Sequence, residues 1–223
     1  MTIDELREGL VRHDGGLLKY GSHRVDAREY CPLEFSSIMR GQSFSDRPGD
    51  LPDLLELSDA FGADDQMRTD HILPVIAALW EWREWSPSRQ QQWVECVAIA
   101  IVREIVVTLP CLTESIRWQC REATTLQKAE AAADAAEAAA NHAEAWATSA
   151  AADAAAWAVW TTRSAGHTAA GVARATRAAG NAVARAAGAA LAAGDAEARA
   201  KILSHACAMW VRAAETTALA VLS

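Results

Sequence analysis

Apolar side chains recur every three or four residues along most of the chain, a period that is typical of amphipathic helices. Thr2 and Glu5 stand at capping-box spacing, so we expect a short helix at the N terminus. Ser86 and Pro87 form a usual helix start, a capping residue followed by proline. The strongly apolar stretch 93–106 follows this start, and we expect it to be the central core helix.

One short segment interrupts the helical pattern. The runs 17–20 and 23–26 flank the pair Gly21 and Ser22, and such a pair between two short runs predicts a small β-hairpin. An isolated two-stranded hairpin is only marginally stable, so we expect this one to pack on the helices.

Alanine dominates the second part of the chain. Residues 1–127 contain 8 alanines, whereas residues 128–223 contain 43. Nothing in the segment 113–164 breaks a helix, and a continuous helix there would be about 75 Å long. A domain of this size is more compact than that, so we expect at least one interruption. Gly166 and Gly194 mark the ends of the two alanine-rich stretches.

These patterns predict an all-α fold with one small hairpin. We expect residues 1–110 to form an acidic, mostly helical domain and residues 111–223 to form an alanine-rich helical region. Alanine-lined helices approach one another closely, so the second region is expected to pack as a helical hairpin or bundle. The composition, 51% hydrophobic and 22% charged, is that of a folded chain and excludes a collagen, a disulfide scaffold and a strand-rich sandwich.

The charge balance narrows the classes of partner. The chain carries 21 Lys and Arg against 29 Asp and Glu, a net charge of -8, which disfavours nucleic acid as a partner. No charge-free run approaches the roughly 20 residues that a membrane-spanning helix needs, so no membrane association is expected. The N terminus lacks a secretory pattern, and the five scattered cysteines favour reduced thiols. We therefore expect a cytoplasmic protein.

The sequence contains none of the familiar catalytic motifs. There is no dinucleotide-binding fingerprint, P-loop, His-Glu-x-x-His, Gly-x-Ser-x-Gly or Cys-x-x-Cys. We therefore assign no catalytic residue, no metal site and no cofactor, and we lean towards a protein that is not an enzyme.

Large side chains at helical spacing form a first candidate site, the tryptophan stripe. Its members share one helix face amid alanines; they are His142, Trp146, Asp153, Trp157 and Trp160. The favoured interpretation is that the indoles cover the acidic N-terminal region, with the aspartate paired to an arginine. The alternative is an aromatic pocket in which the histidine and the aspartate make polar contacts to a ligand.

A second candidate site, the arginine stripe, lies in a segment without acidic residues. Its members are Arg163, Arg174, Arg177 and Arg185. The favoured interpretation pairs these side chains with the acidic N-terminal region of the same chain. The alternative is that they bind an external anion, either phosphate groups or a carboxylate-rich partner.

A row of small residues is a candidate self-association face. Gly180, Ala184 and Gly188 recur every four residues, a spacing that lets two helices approach closely. The favoured interpretation is packing inside a helical hairpin or bundle, and the alternative is contact with a second copy.

Four segments resemble a known group of proteins. They are Leu18–Gly21, Arg28–Phe35, Phe44–Asp46 and His71–Ile76. Together with the tail rich in Ala and Trp, they resemble uncharacterised proteins predicted in actinobacteria and their phages. The resemblance implies a bacterial or phage origin and a cytosolic protein, and it carries over no catalytic residue.

The leading hypothesis is a non-enzymatic binding or scaffold protein that acts through its alanine-rich helix surfaces. We expect a homo-oligomer or a protein partner. One alternative is a protein that binds or sequesters a small anionic, nucleotide-like ligand between the tryptophan and arginine stripes. A second alternative is a hydrolase-type enzyme that uses Asp70 and His71 of the N-terminal half.

Overall fold

The computed structural model describes residues 1–21, 23, 29–45, 51–143, 145–166 and 168–220. These residues are mostly helical and contain no strand, so the all-α prediction is confirmed. The α-helices are α1 (Ile3–Asp14), α2 (Pro32–Met39), α3 (Leu55–Asp59), α4 (Asp65–Ala78), α5 (Pro87–Ala100), α6 (Glu114–Arg121), α7 (Leu126–His142), α8 (Trp146–Arg163), α9 (Ala169–Ala192) and α10 (Ala196–Ala220). A 3₁₀ turn (Trp82–Glu84) precedes α5.

The predicted central helix lies at the centre of the fold. Ser86 caps α5, and the chain continues helically through a π turn (Ile101–Ile105) and a 3₁₀ turn (Val106–Thr108). α5 contacts α7, α8, α9 and α10. Its Trp93 is fully buried, as the apolar pattern predicts.

The predicted hairpin is not found among the described residues. Residues 17–20 form no strand, and residues 24–26 of the second run lie outside the described residues. Two side chains of α4 hold the first run instead: Thr69 Oγ1 accepts the backbone N–H of Leu18 at 2.8 Å, and Arg68 donates to the Leu18 carbonyl at 3.3 Å. These tertiary hydrogen bonds satisfy backbone groups that the prediction assigned to a neighbouring strand.

The predicted interruption of segment 113–164 is confirmed, and it occurs twice. Breaks at 122–125 and 143–145 divide the segment into α6, α7 and α8. Thr125 caps the second helix by accepting the backbone N–H of Lys128. The break between α7 and α8 lets these two helices pack against each other, which buries alanine faces that one long helix would leave in water.

Helices α7, α8 and α9 pack side by side through alanine-lined contacts, and we call them the alanine layer. The inner face of α8 lies on α5, where the Gln91 side chain donates to the Thr162 carbonyl at 2.9 Å. The last helix, α10, packs on α4, α5 and α9. Buried residues of the predicted regions 1–110 and 111–223 thus contribute to one hydrophobic core.

None of the described helices is both long enough and apolar enough to span a lipid bilayer.

Candidate functional site

The tryptophans of α8 point away from the core. Trp146, Trp157 and Trp160 are 86%, 53% and 43% exposed, and Asp153 beside them is also exposed. The favoured sequence interpretation, in which these indoles cover the N-terminal region, is therefore wrong. These side chains form an exposed surface that is apolar except for one carboxylate. We call it the α8 face, and its members are Trp146, Asp153, Trp157 and Trp160.

Two of these indoles are already ordered against each other. Trp157 and Trp160 stack with ring centroids 4.7 Å apart and planes inclined by 21°. Mutual stacking lowers the number of conformations that each side chain samples, so less entropy is lost when a partner covers the pair. His142, the other member of the tryptophan stripe, ends α7 and is exposed; the break at 143–145 separates it from α8.

The exposure of the indoles follows from the composition of the opposite side of α8. The inward positions carry small side chains, such as Ala152, Ala155 and Ala158, which allow close approach of the neighbouring helices. An indole does not fit into an interface of this thickness without separating the helices. The large apolar side chains of α8 are therefore placed on its solvent side.

The arginine stripe is divided among separate contacts. Arg163 pairs with Glu130 of α7, and Arg177 pairs with Asp53 at 2.6 Å. The second contact agrees with the favoured pairing to the N-terminal region. The hydrogen bonds that Arg177 donates to the Asp53 carboxylate raise the pKa of Arg177 above its ordinary value. Arg174 and Arg185 are exposed and make no ion pair with any described residue.

The two best-formed clefts among the described residues are lined by no member of the tryptophan stripe or the arginine stripe. The cations that lie over aromatic rings there are Arg40, Arg68 and Arg89, and their rings belong to Trp80, Tyr20 and Trp85. The indoles of the α8 face have no such contact in this part of the chain.

The row of small residues on α9 is used in part inside the chain. Gly180 is buried where α3 crosses α9, and a Cβ added to it would lie 3.0 Å from the backbone nitrogen of Leu57. Ala184 is half-buried. Gly188 is exposed, and a Cβ there would meet nothing within 4 Å.

A buried polar cluster at α2 was not predicted from the sequence. The Glu34 carboxylate, 1% exposed, accepts the backbone N–H groups of His23 and Cys31 at 2.8 Å each and lies 3.0 Å from His23 Nδ1. Burial raises the pKa of the Cys31 thiol to about 12, so it is not a thiolate nucleophile at neutral pH. The cluster is a capping box, and the spacing of a capping residue and Glu34 was its sequence signal.

The predicted acid–base residues of α4 are separately engaged. Asp70 accepts hydrogen bonds from Arg7 at 3.3 Å and from Gln66 at 2.9 Å. The ring of His71 stacks on Phe61 with centroids 6.1 Å apart. Their known contacts are structural, and no hydrogen bond joins the two side chains.

A cleft of about 870 Å³ lies between the end of α9, the start of α10 and the segment 104–110. The cleft was not predicted from the sequence, because its walls come from three distant segments. Its floor is mostly alanine, isoleucine and leucine, and its polar edge contains Glu104 and His205. Glu104 Oε2 lies 2.7 Å from both His205 Nε2 and an Arg212 nitrogen.

No group of three or more His, Cys, Asp or Glu residues is placed to hold a metal ion in the described part of the chain.

The comparisons with known proteins found no match: no family model fits the chain, and neither curated proteins nor solved structures gave a significant similarity.

Proposed function

We propose that the chain is a binding protein that associates with a second copy of itself through the α8 face. The observation that carries the proposal is the exposed, stacked pair Trp157 and Trp160, together with the still more exposed Trp146. Tryptophan is strongly enriched among the residues that dominate binding energies, and contiguous exposed apolar surface marks interaction sites.

The spacing along α8 favours a second copy as the occupant. In a two-fold, antiparallel pairing of α8 helices centred between residues 158 and 159, Trp157 of one copy lies opposite Trp160 of the other. Such a pairing is isologous, so each indole pair is used twice across the same interface. Ala150, which is partly exposed between Trp146 and Trp157 on this face, leaves room for the rings of the second helix.

Charge supports the same register. In that pairing Asp153 lies opposite Ser164, the neighbour of Arg163, and both lie about 8 Å along the helix from the two-fold axis. Arg163 is half-exposed although it pairs with Glu130, so its guanidinium retains an open side. The one acidic residue of the α8 face therefore approaches a cation of the second copy instead of another carboxylate.

Sedimentation velocity over a range of protein concentrations tests the proposal. We expect a dimer that dissociates on dilution, and we expect the double variant Trp157→Ala/Trp160→Ala to be monomeric throughout. Trp118→Ala is the matched control, because Trp118 is 61% exposed but belongs to α6. That variant is expected to dimerise like the original chain.

A chain that stays monomeric at every concentration contradicts the proposal. The variant Gly188→Leu distinguishes association through the α8 face from association through the small-residue row of α9. Its added side chain would stand in open space in a single copy. If this variant loses the dimer while the double tryptophan variant keeps it, self-association uses α9 and the α8 assignment is wrong.

The other two hypotheses have less support. A nucleotide-like ligand held jointly by the two stripes lacks a shared pocket among the described residues, although Arg174 and Arg185 have free guanidinium groups there. A hydrolase that uses Asp70 and His71 lacks a hydrogen-bonded acid–base pair. Quenching of tryptophan fluorescence across a nucleotide panel would revive the first of these.

A further inference from the structure

We propose that the cleft between α9, α10 and segment 104–110 binds an uncharged, mainly apolar small molecule that carries a hydroxyl group. This site is separate from the α8 face. At about 870 Å³ the cleft falls within the roughly 300–1,000 Å³ of small-molecule sites.

Most of the residues that line the cleft are apolar. The last turns of α9 contribute Ala186, Ala189 and Ala190, and Ala193 follows directly after the helix. Ile105 and Leu109 lie opposite them and are themselves almost fully buried. Alanine methyl groups on one wall and buried side chains on the other cannot fill the cleft by rotating, so the space between them stays open.

The charges at the edge of the cleft argue for an uncharged ligand. Glu104 pairs with Arg212 and contacts His205, and Lys201 pairs with Glu197 at 2.6 Å. Asp195 accepts the backbone N–H of Ala198 at 2.8 Å, which caps α10. The Asp195 carboxylate thus lies against the positive end of the α10 dipole. An anion would meet no unpaired cation at this edge, and any charged ligand would lose its hydration on entering the apolar space.

One polar group at the edge has unused hydrogen-bonding capacity. His205 Nε2 is held by Glu104, whereas Nδ1 has no partner among the described residues. A neutral imidazole would accept a hydrogen bond at Nδ1, and a protonated one would donate. A hydroxyl matches both states, because it can donate and accept.

The backbone around the cleft is irregular at two points. Glu104 and Ile105 belong to the π turn that extends α5, and such turns occur frequently at functional sites. Cys111, directly after the lining residue Pro110, has a φ of 68°, which is uncommon for a residue with a side chain. Both irregularities shape the wall opposite the alanines.

Fluorescence titration with Nile red, an uncharged apolar dye, tests the inference on the full chain. We expect a saturable rise in emission that is lost in Ala190→Trp, since the indole would fill the cleft. Ala192→Trp is the matched control: it is exposed, lies on the other side of α9 and does not line the cleft. We expect it to bind the dye like the original chain.

Two further comparisons make the result decisive. The double variant Trp157→Ala/Trp160→Ala should keep dye binding, which separates the cleft from the α8 face. Anilinonaphthalene sulfonate, an anionic dye, should bind more weakly than Nile red. If circular dichroism shows that Ala190→Trp is unfolded, Ala193→Phe at the exposed end of the same wall takes its place. Absence of saturable binding, unchanged binding in the filled variant, or preference for the anionic dye would overturn the inference.

Discussion

The core around α5 and the alanine layer bury their helices in different ways. Around α5, large rings fill the space: Trp93 meets Trp82 and Trp210 edge-on, with centroids 5.1 and 5.3 Å apart. In the alanine layer, methyl groups lie between the helices and the tryptophans stand outside. One core therefore depends on the burial of a few large side chains, and the other depends on close backbone approach.

The two parts also differ in buried charge. The region that precedes α5 buries Arg68 completely, with hydrogen bonds to the carbonyls of Leu18, Ser58 and Gly62, and it half-buries Asp59. The buried polar residues of the alanine layer are serines and threonines, several of which bond to carbonyls one turn earlier. We therefore expect the free energy of unfolding to depend on ring packing and on pH in the region up to α5, and on side-chain volume in the alanine layer.

The largest expected effect belongs to the ring cluster. Trp93→Ala removes a fully buried indole that also donates to the Trp210 carbonyl at 3.3 Å. We expect the free energy of unfolding to fall by about 3–5 kcal/mol, as measured by urea denaturation. Trp160→Ala is the control from the α8 face, and its cost should stay within about 1 kcal/mol at monomeric concentrations. Equal losses of unfolding free energy in the two variants would contradict the proposed difference between the two cores.

An intermediate effect is expected where the alanine layer is tightest. A Cβ added to Gly171 would lie 2.6 Å from Ala165 Cα and nearer still to the Ala165 carbonyl oxygen, and neither backbone atom can rotate away. Although alanine favours a helix over glycine, Gly171→Ala should lower the free energy of unfolding by about 1–3 kcal/mol. Gly188→Ala, in open space on the same helix, should raise it by about 0.5–1 kcal/mol. Thermal unfolding followed by circular dichroism compares the two, and stabilisation of both would show that the layer has room to adjust.

The smallest expected effect is the pH dependence of stability that arises from Asp59, in the region that precedes α5. Burial raises the pKa of Asp59, although the backbone N–H of Gly21 and the charge of Arg68 oppose the shift. The folded chain therefore prefers the protonated carboxyl, and this contribution to stability is present in acid and is lost as the pH rises through the folded pKa. Asp59→Asn, which stays uncharged, should be more stable than the original chain at neutral pH and similar to it in acid.

Urea midpoints at the two pH values measure this difference. Asp153→Asn is the control, because that carboxylate is exposed on α8. If Asp59→Asn is less stable than the original chain at neutral pH, Arg68 stabilises the ionised carboxylate by more than burial destabilises it.

Local signals predicted the helices well, because caps and periodicity act over a few residues. Thr2 and Glu5 form the expected capping box, and Ser86 caps the central helix. The hairpin, predicted from the same kind of local signal, is not found among the described residues, where Leu18 is held by Arg68 and Thr69, 50 and 51 residues away in sequence. No local pattern indicates a partner at that separation.

The candidate sites show the same limit. Periodicity correctly grouped the tryptophans of α8 on one face, but it could not say whether that face lies inward or outward. The cleft was not predicted at all, because Glu104 and His205 are 101 residues apart and their contact exists only in the folded chain.

The sequence by itself determined that the chain is helical, that its second part packs through alanine, and that Trp146, Trp157 and Trp160 share a face. These properties follow from helix propensity and from the 3.6-residue period, which are local. Tertiary structure alone decided which face is buried, because the thin alanine interfaces exclude the indoles and leave them in solvent. It also decided where α9, α10 and segment 104–110 leave an open cleft, since packing of distant segments sets that space.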